Sequence, residues 1–150
     1  MKNFYPTLFV SFLLLFNTSI AKEVSELLEN NGRMYEPGHE EPYTGKYVIY
    51  FESGQKRYEG NFLNGKMDGK QIKWHGNGQK SYEANFKHGK QEGPYIFWYE
   101  NGQKSYEANY KKGKEDGIVT SWDREGNITK TEILENRKVI KEIKLFLIKE

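Results

Sequence analysis

Apolar and polar residues alternate with a period of two through most of this chain, in short runs that end at glycine. Between Gly69 and His75, Ile72 and Trp74 share one face. Between Gln79 and Phe86, Tyr82, Ala84 and Phe86 share a face while Ser81, Glu83 and Asn85 take the other. Such alternation predicts strands. Asn77-Gly78 and His88-Gly89 read as hairpin turns, where glycine accepts a positive φ that other residues resist. The pair of runs recurs. Tyr58 to Gly69 (YEGNFLNGKMDG) returns as Tyr82 to Gly93 (YEANFKHGKQEG) and as Tyr106 to Gly117 (YEANYKKGKEDG), 24 residues apart each time with no insertion or deletion. The spacing predicts one β-hairpin per repeat and an all-β fold, an elongated antiparallel meander of 24-residue hairpin repeats.

An inward face follows from the same alternation. First strands are expected to contribute Val48 and Tyr50, Ile72 and Trp74, Ile96 and Trp98, and Thr120 and Trp122. Second strands add Tyr58 and Phe62, Tyr82 and Phe86, and Tyr106 and Tyr110. The small residues Gly60, Ala84 and Ala108 then leave room for the facing tryptophans. On this reading Trp98→Ala is a core deletion that costs about 3–5 kcal/mol. The opposite face is polar in one repeat (Gln71, Lys73, His75) but carries Tyr47, Ile49 and Phe51 in the repeat before it and Tyr95, Phe97 and Tyr99 in the repeat after. An apolar patch on a face expected to be wet makes Tyr95, Phe97, Tyr99, Tyr47 and Phe51 the candidate partner-binding residues. The bland alternative is that sheet curl or the ends of the array bury them.

The ends of the chain differ from its middle. Residues 1–21 combine Lys2, an apolar run from Leu8 to Phe16 and a small-residue site at Ser19-Ile20-Ala21, the pattern of a cleaved secretory signal. The run is shorter than the ~20 apolar residues a spanning helix needs. Residues 22–42 carry an Asn31-Gly32 turn and the breakers Pro37-Gly38 and Pro42, and are expected to cap the array. The repeats occupy 43–138. In the last of them Lys130 and Glu132 replace the tyrosine and the small residue, and Arg137 stands where glycine is expected. Residues 139–150 form an apolar tail suited to a C-terminal cap. A closing strand fits it, and Val139, Ile140, Ile143, Phe146 and Leu147 also line one helical face.

Charge and composition narrow the function. The chain has 23 basic and 21 acidic residues, a net charge of +2, which gives no electrostatic case for nucleic acid as a partner. With no cysteine, no disulfide or lipidated thiol is available, so repeat stacking and aromatic packing must supply stability. Catalysis needs groups in unlike environments, whereas here Glu59, Glu83 and Glu107 recur as a ladder beside Lys56, Lys80 and Lys104. His39, His75 and His88 occupy unrelated repeat positions, with no metal-ligand spacing among them. No phosphate-binding glycine loop opens a helix. The expectation is a non-enzymatic protein without cofactor or metal.

The block Tyr58-Glu59-Gly60-x-Phe62-x-Asn64-Gly65-Lys66-x-x-Gly69 resembles the MORN (membrane occupation and recognition nexus) repeat. The turn Tyr99-Glu100-Asn101-Gly102-Gln103-Lys104 is similar to its bacterial variant, found in small proteins that carry an antitoxin-like label. The likeness covers about residues 31–138; Ala84, Ala108 and Tyr95 depart from its pattern. The resemblance implies a twisted open sheet of hairpins that offers a groove to partners, and no catalytic activity. It leaves three readings: an exported protein-interaction module whose protein partner is unknown, a peripheral phospholipid-binding module, and an antitoxin or immunity protein against an exported toxin. Near-neutral charge and the lack of a basic amphipathic helix weigh against the membrane. An exported chain would act in the periplasm or outside the cell.

Overall fold

The computed structural model describes residues 26–143; the segment read as a secretory signal and residues 144–150 of the tail lie outside them. A small hairpin, β1 (Leu28–Asn30) and β2 (Arg33–Tyr35), precedes the array. The array comprises β3 (Gly45–Tyr50), β4 (Lys56–Leu63), β5 (Lys66–Trp74), β6 (Lys80–Lys87) and β7 (Lys90–Trp98). It continues with β8 (Lys104–Lys111), β9 (Lys114–Glu115), β10 (Gly117–Trp122), β11 (Ile128–Glu135) and β12 (Lys138–Ile143). From β3 to β12 each strand pairs with the next in one antiparallel sheet, β9 being a short piece beside β8. The expected all-β meander of hairpins is what the chain forms, and the start of the tail is a strand.

Two kinds of turn alternate. Asn64-Gly65, His88-Gly89 and Lys112-Gly113 hold φ of 51–52° and 73–80° at their two residues, the paired positive φ of a two-residue type I′ loop. At the other end of each hairpin, as at His75 to Gln79, only the glycine is positive. There His75 accepts from Gly78 N (3.0 Å) and donates to Gln79 O (2.8 Å), which closes a three-residue loop. One residue beyond each such loop the second strand carries a bulge. Lys73 opposes Tyr82 but Trp74 opposes Lys80, which leaves Ser81 extra; Arg57 and Ser105 are extra in the same way.

This register corrects the expected inward face. Cross-strand partners share a face, and Tyr82 stands opposite Lys73 and Phe97, whereas Ile72 and Ile96 stand opposite Glu83. The second-strand tyrosines therefore lie with Tyr47, Ile49, Gln71, Tyr95 and Phe97, and Trp74, Trp98 and Trp122 lie on the other face. The small residues accommodate tyrosine and glutamine instead of tryptophan: Gly60 faces Tyr47 and Gln71, and Ala84 faces Gln71 and Tyr95. Trp98 is half-buried under the Lys80 ammonium, 5.9 Å from the ring centre, so it is no core residue and its deletion should cost less than the core value. A one-residue change of phase moves every side chain to the opposite face.

The tryptophan face is a regular ladder. Glu59 takes Lys46 (2.9 Å) and Lys56 (2.6 Å), and Glu83 takes Lys70 (2.7 Å) and Lys80 (2.6 Å). Their hydrogen bonds, to Lys56 for Glu59 and to Lys70 for Glu83 above all, hold both carboxyls below the usual range. Lys56, Lys80 and Lys104 each lie 5.8–6.0 Å from the ring centre of the next tryptophan. Exposed pairs of this kind contribute about 0.2–1 kcal/mol each, so the ladder trims the surface and does not hold the fold.

Candidate binding surface

The tyrosine face has two ends. At the first, Tyr43, Tyr58 and Phe62 form a buried cluster, with Leu27, Met34, Tyr47 and Ile49 packed against it. The β1–β2 hairpin is tied down there by backbone bonds, Met34 N to Gly65 O (2.9 Å) and Tyr43 N to Met34 O (2.8 Å). Gln71 is fully buried beside this cluster; its Oε1 accepts from the Tyr58 hydroxyl and its Nε2 donates to Asn61 O (2.8 Å). A Cβ at position 60 would stand 1.9 Å from Gln71 Oε1, so any larger residue there would displace the Tyr58–Gln71 pair. Burial, and then the charge on Tyr47, pushes the Tyr58 phenol up to about 12.

Further along the same face, Tyr82, Tyr95, Phe97, Tyr106 and Tyr110 pack ring against ring. Tyr95 is the hub, 5.3 Å from Tyr82, 5.2 Å from Phe97, 6.4 Å from Tyr106 and 4.9 Å from Tyr110 between ring centres. The T-shaped and tilted geometries are those aromatic pairs prefer, worth about 0.5–1.5 kcal/mol each beyond area. No second layer of the described residues covers this bed. Phe97 remains 37% exposed and its neighbours are half-buried. The bed sits over Ala84 and Ala108, both almost fully buried.

One carboxylate belongs to the bed. Glu115 Oε1 accepts from the Tyr106 hydroxyl at 2.6 Å and from the Tyr110 hydroxyl at 2.9 Å. Burial first, and then the bond to Glu115, pushes the Tyr110 phenol up to about 12, and the same causes raise Tyr106 further. Both hydroxyls thus stay protonated and donate.

The five residues singled out from sequence separate in space. Tyr95 and Phe97 lie in the uncovered bed; Tyr47 belongs to the covered cluster, 5.9 Å from Tyr58 and 6.2 Å from Phe62. Phe51 and Tyr99 sit at the loop edge. The Arg57 guanidinium lies 5.9 Å from the Phe51 ring, and the Tyr99 hydroxyl donates to Trp122 O (2.8 Å), a stitch to the next hairpin. His75 makes the equivalent contact to Trp98 O (2.9 Å), so Tyr99 repeats a structural position. Sequence reasoning missed Tyr82, Tyr106, Tyr110 and Glu115 as partners of Tyr95. A signal was available: the pair at positions 110 and 115 is Phe62/Met67 in the first copy, Phe86/Gln91 in the second and Tyr110/Glu115 in the third. Tyrosine and carboxylate arrive together, and the structure bonds them.

Among the described residues no three His, Asp or Glu side chains converge as metal ligands, and no helix is long and apolar enough to cross a membrane. The family described as the MORN repeat variant matches residues 43–64, 67–88 and 91–112. No curated protein matches the chain. Repeats of this type are non-catalytic modules that in general bind proteins or membranes.

Proposed function

We propose, from the premise that this chain is a MORN-repeat protein with three consecutive variant repeats over residues 43–112, that it is an exported, non-enzymatic module that binds another protein through the uncovered aromatic bed. The observation that carries the reading is the bed itself, five interlocked rings around Tyr95 with Phe97 37% exposed and no layer of the described residues above it. Tyrosine and phenylalanine offer large area with few rotors, which is why such residues anchor protein interfaces. The opposite face supports the choice by contrast, since its lysines and glutamates already satisfy one another. The signal-like segment 1–21 supports export.

Photo-crosslinking groups at position 97 on the bed and at position 80 on the ladder test the reading in cells that make the full chain. The expected result is a protein adduct from position 97 and none from position 80. Adducts from position 80 alone, or lipid alone at position 97, would overturn it. Fractionation of the same cells tests export, with full-length chain held in the cytoplasm as the contrary result.

A further inference from the structure

Glu115 differs from the lysine-paired carboxylates on the sheet. Glu59, Glu83, Glu107 and Glu132 each hold a lysine at 2.6–2.9 Å. Among the described residues no lysine or arginine lies within ion-pair distance of Glu115. Its bonds to Tyr106 and Tyr110 both fall on Oε1, so Oε2 keeps its acceptor capacity. This half-buried carboxylate, with hydroxyl donors and no ion-pair partner among the described residues, stands beside the rings of Tyr95, Tyr106 and Tyr110. Ring faces and a carboxylate attract the same thing, an organic cation. The flat bed and the planar carboxylate favour a guanidinium, which stacks on rings and bonds a carboxylate in one plane, over a compact ammonium.

We propose that Glu115, with Tyr95, Tyr106 and Tyr110, forms a recognition site for an arginine side chain presented by the partner protein. The inference rests on the binding role of the aromatic bed and narrows it to one kind of anchor. The repeats supply an internal control. Where the third copy has Tyr110 and Glu115, the second has Phe86 and Gln91, an uncharged pair the same fold accommodates. The site is therefore specific to one repeat, as a recognition element must be if the partner is to bind in a single register.

The test uses the full chain and two capped tripeptides, acetyl-Gly-Arg-Gly-amide and its citrulline counterpart, which keeps the shape of arginine without the charge. Binding is read from ring resonances of Tyr95, Tyr106 and Tyr110 by NMR. The arginine peptide should move these rings and bind at least tenfold more tightly than the citrulline peptide. The double variant Tyr110→Phe/Glu115→Gln copies the second repeat and should lose that preference with its melting curve intact. Glu83→Gln, on the lysine ladder, should keep it. Equal binding of the two peptides, no ring shifts, or an unchanged preference in the double variant would overturn the proposal. The position-97 crosslink separates the two claims. A protein adduct that forms equally in the double variant leaves the binding module standing and removes the arginine.

Discussion

At the first end of the tyrosine face, Tyr58 and Phe62 are 9% and 6% exposed; two repeats along, Phe97 is 37% exposed and Tyr106 and Tyr110 are half-buried. The local sequence is nearly the same at both places, YEGNF against YEANY. What differs is the company each copy keeps: Leu27 and Met34, from outside the repeats, join Tyr43 over the first end, whereas Tyr106 and Tyr110 pack against Ala108, Val119 and Leu134 of the sheet itself. A repeat specifies strands, turns and ring spacing, while its neighbours decide whether a given copy is core or surface. That is the behaviour of a one-dimensional array, in which end segments set the burial of the unit beside them.

The largest effect expected from this contrast is in Phe62→Ala against Phe86→Ala, one repeat position under two degrees of cover. Loss of the buried Phe62 ring should cost about 3–5 kcal/mol. Phe86, half-buried, should cost clearly less than that. Urea denaturation of the two variants measures the difference. Equal losses would mean that the N-terminal segment contributes no burial and that the two ends are alike.

A smaller effect separates the tyrosine hydroxyls. Tyr58→Phe leaves the buried Gln71 Oε1 without its donor, and should cost about 1–3 kcal/mol. Tyr106→Phe leaves Glu115 with the Tyr110 bond and access to water, and should cost less. The pH dependence has the same origin. The Tyr58 phenol is raised from 10.0 to about 12 by burial first, so the fold favours its neutral form. Its contribution is full below pH 10 and is lost as pH rises toward 12. Alkaline melts should therefore fall through this window in the parent chain, and fall less steeply in Tyr58→Phe. Parallel curves would remove Tyr58 as the cause.

Much of this architecture was legible in the chain. The 24-residue period gave the hairpin, and Asn64-Gly65, His88-Gly89 and Lys112-Gly113 gave the turns, because each demands a backbone only certain residues adopt. The pairing of faces was not legible. Alternation fixes two faces within a strand but not which face meets which across a bulge, and Arg57, Ser81 and Ser105 carry no signature of their own as extra residues. Alternation alone therefore pairs Trp98 with Tyr82, whereas the bulged register sets it on the opposite face, across from Lys104. Of the site, Tyr95 and Phe97 were visible as departures from the polar pattern. Glu115 was hidden because it reads as one more charge until its two tyrosines are seen to bond it.

The smallest effect tests the other end of the same comparison, at the last hairpin of the described residues. The last two-residue loop is Asn136-Arg137, with φ of 50° and 71°, the conformation that Gly65, Gly89 and Gly113 hold in the earlier loops. The fold imposes it: Arg137 N donates to Glu115 O at 3.0 Å, as Gly113 N donates to Gln91 O at 2.9 Å and Gly89 N to Met67 O at 2.8 Å. A non-glycine residue in the left-handed region costs about 1–2 kcal/mol. Glycine removes that strain and adds about 0.5–1 kcal/mol of unfolded-state entropy, so the two terms partly cancel. Arg137→Gly should thus stabilise the chain by about 0.5–1 kcal/mol, read as a higher urea midpoint at unchanged slope. The gain should appear as stronger amide protection in β11 and β12 and leave β4 unchanged, since local opening of this hairpin does not reach the first repeat. A lower midpoint, or protection that rises evenly through the sheet, would show that this end is already as firmly held as the covered one.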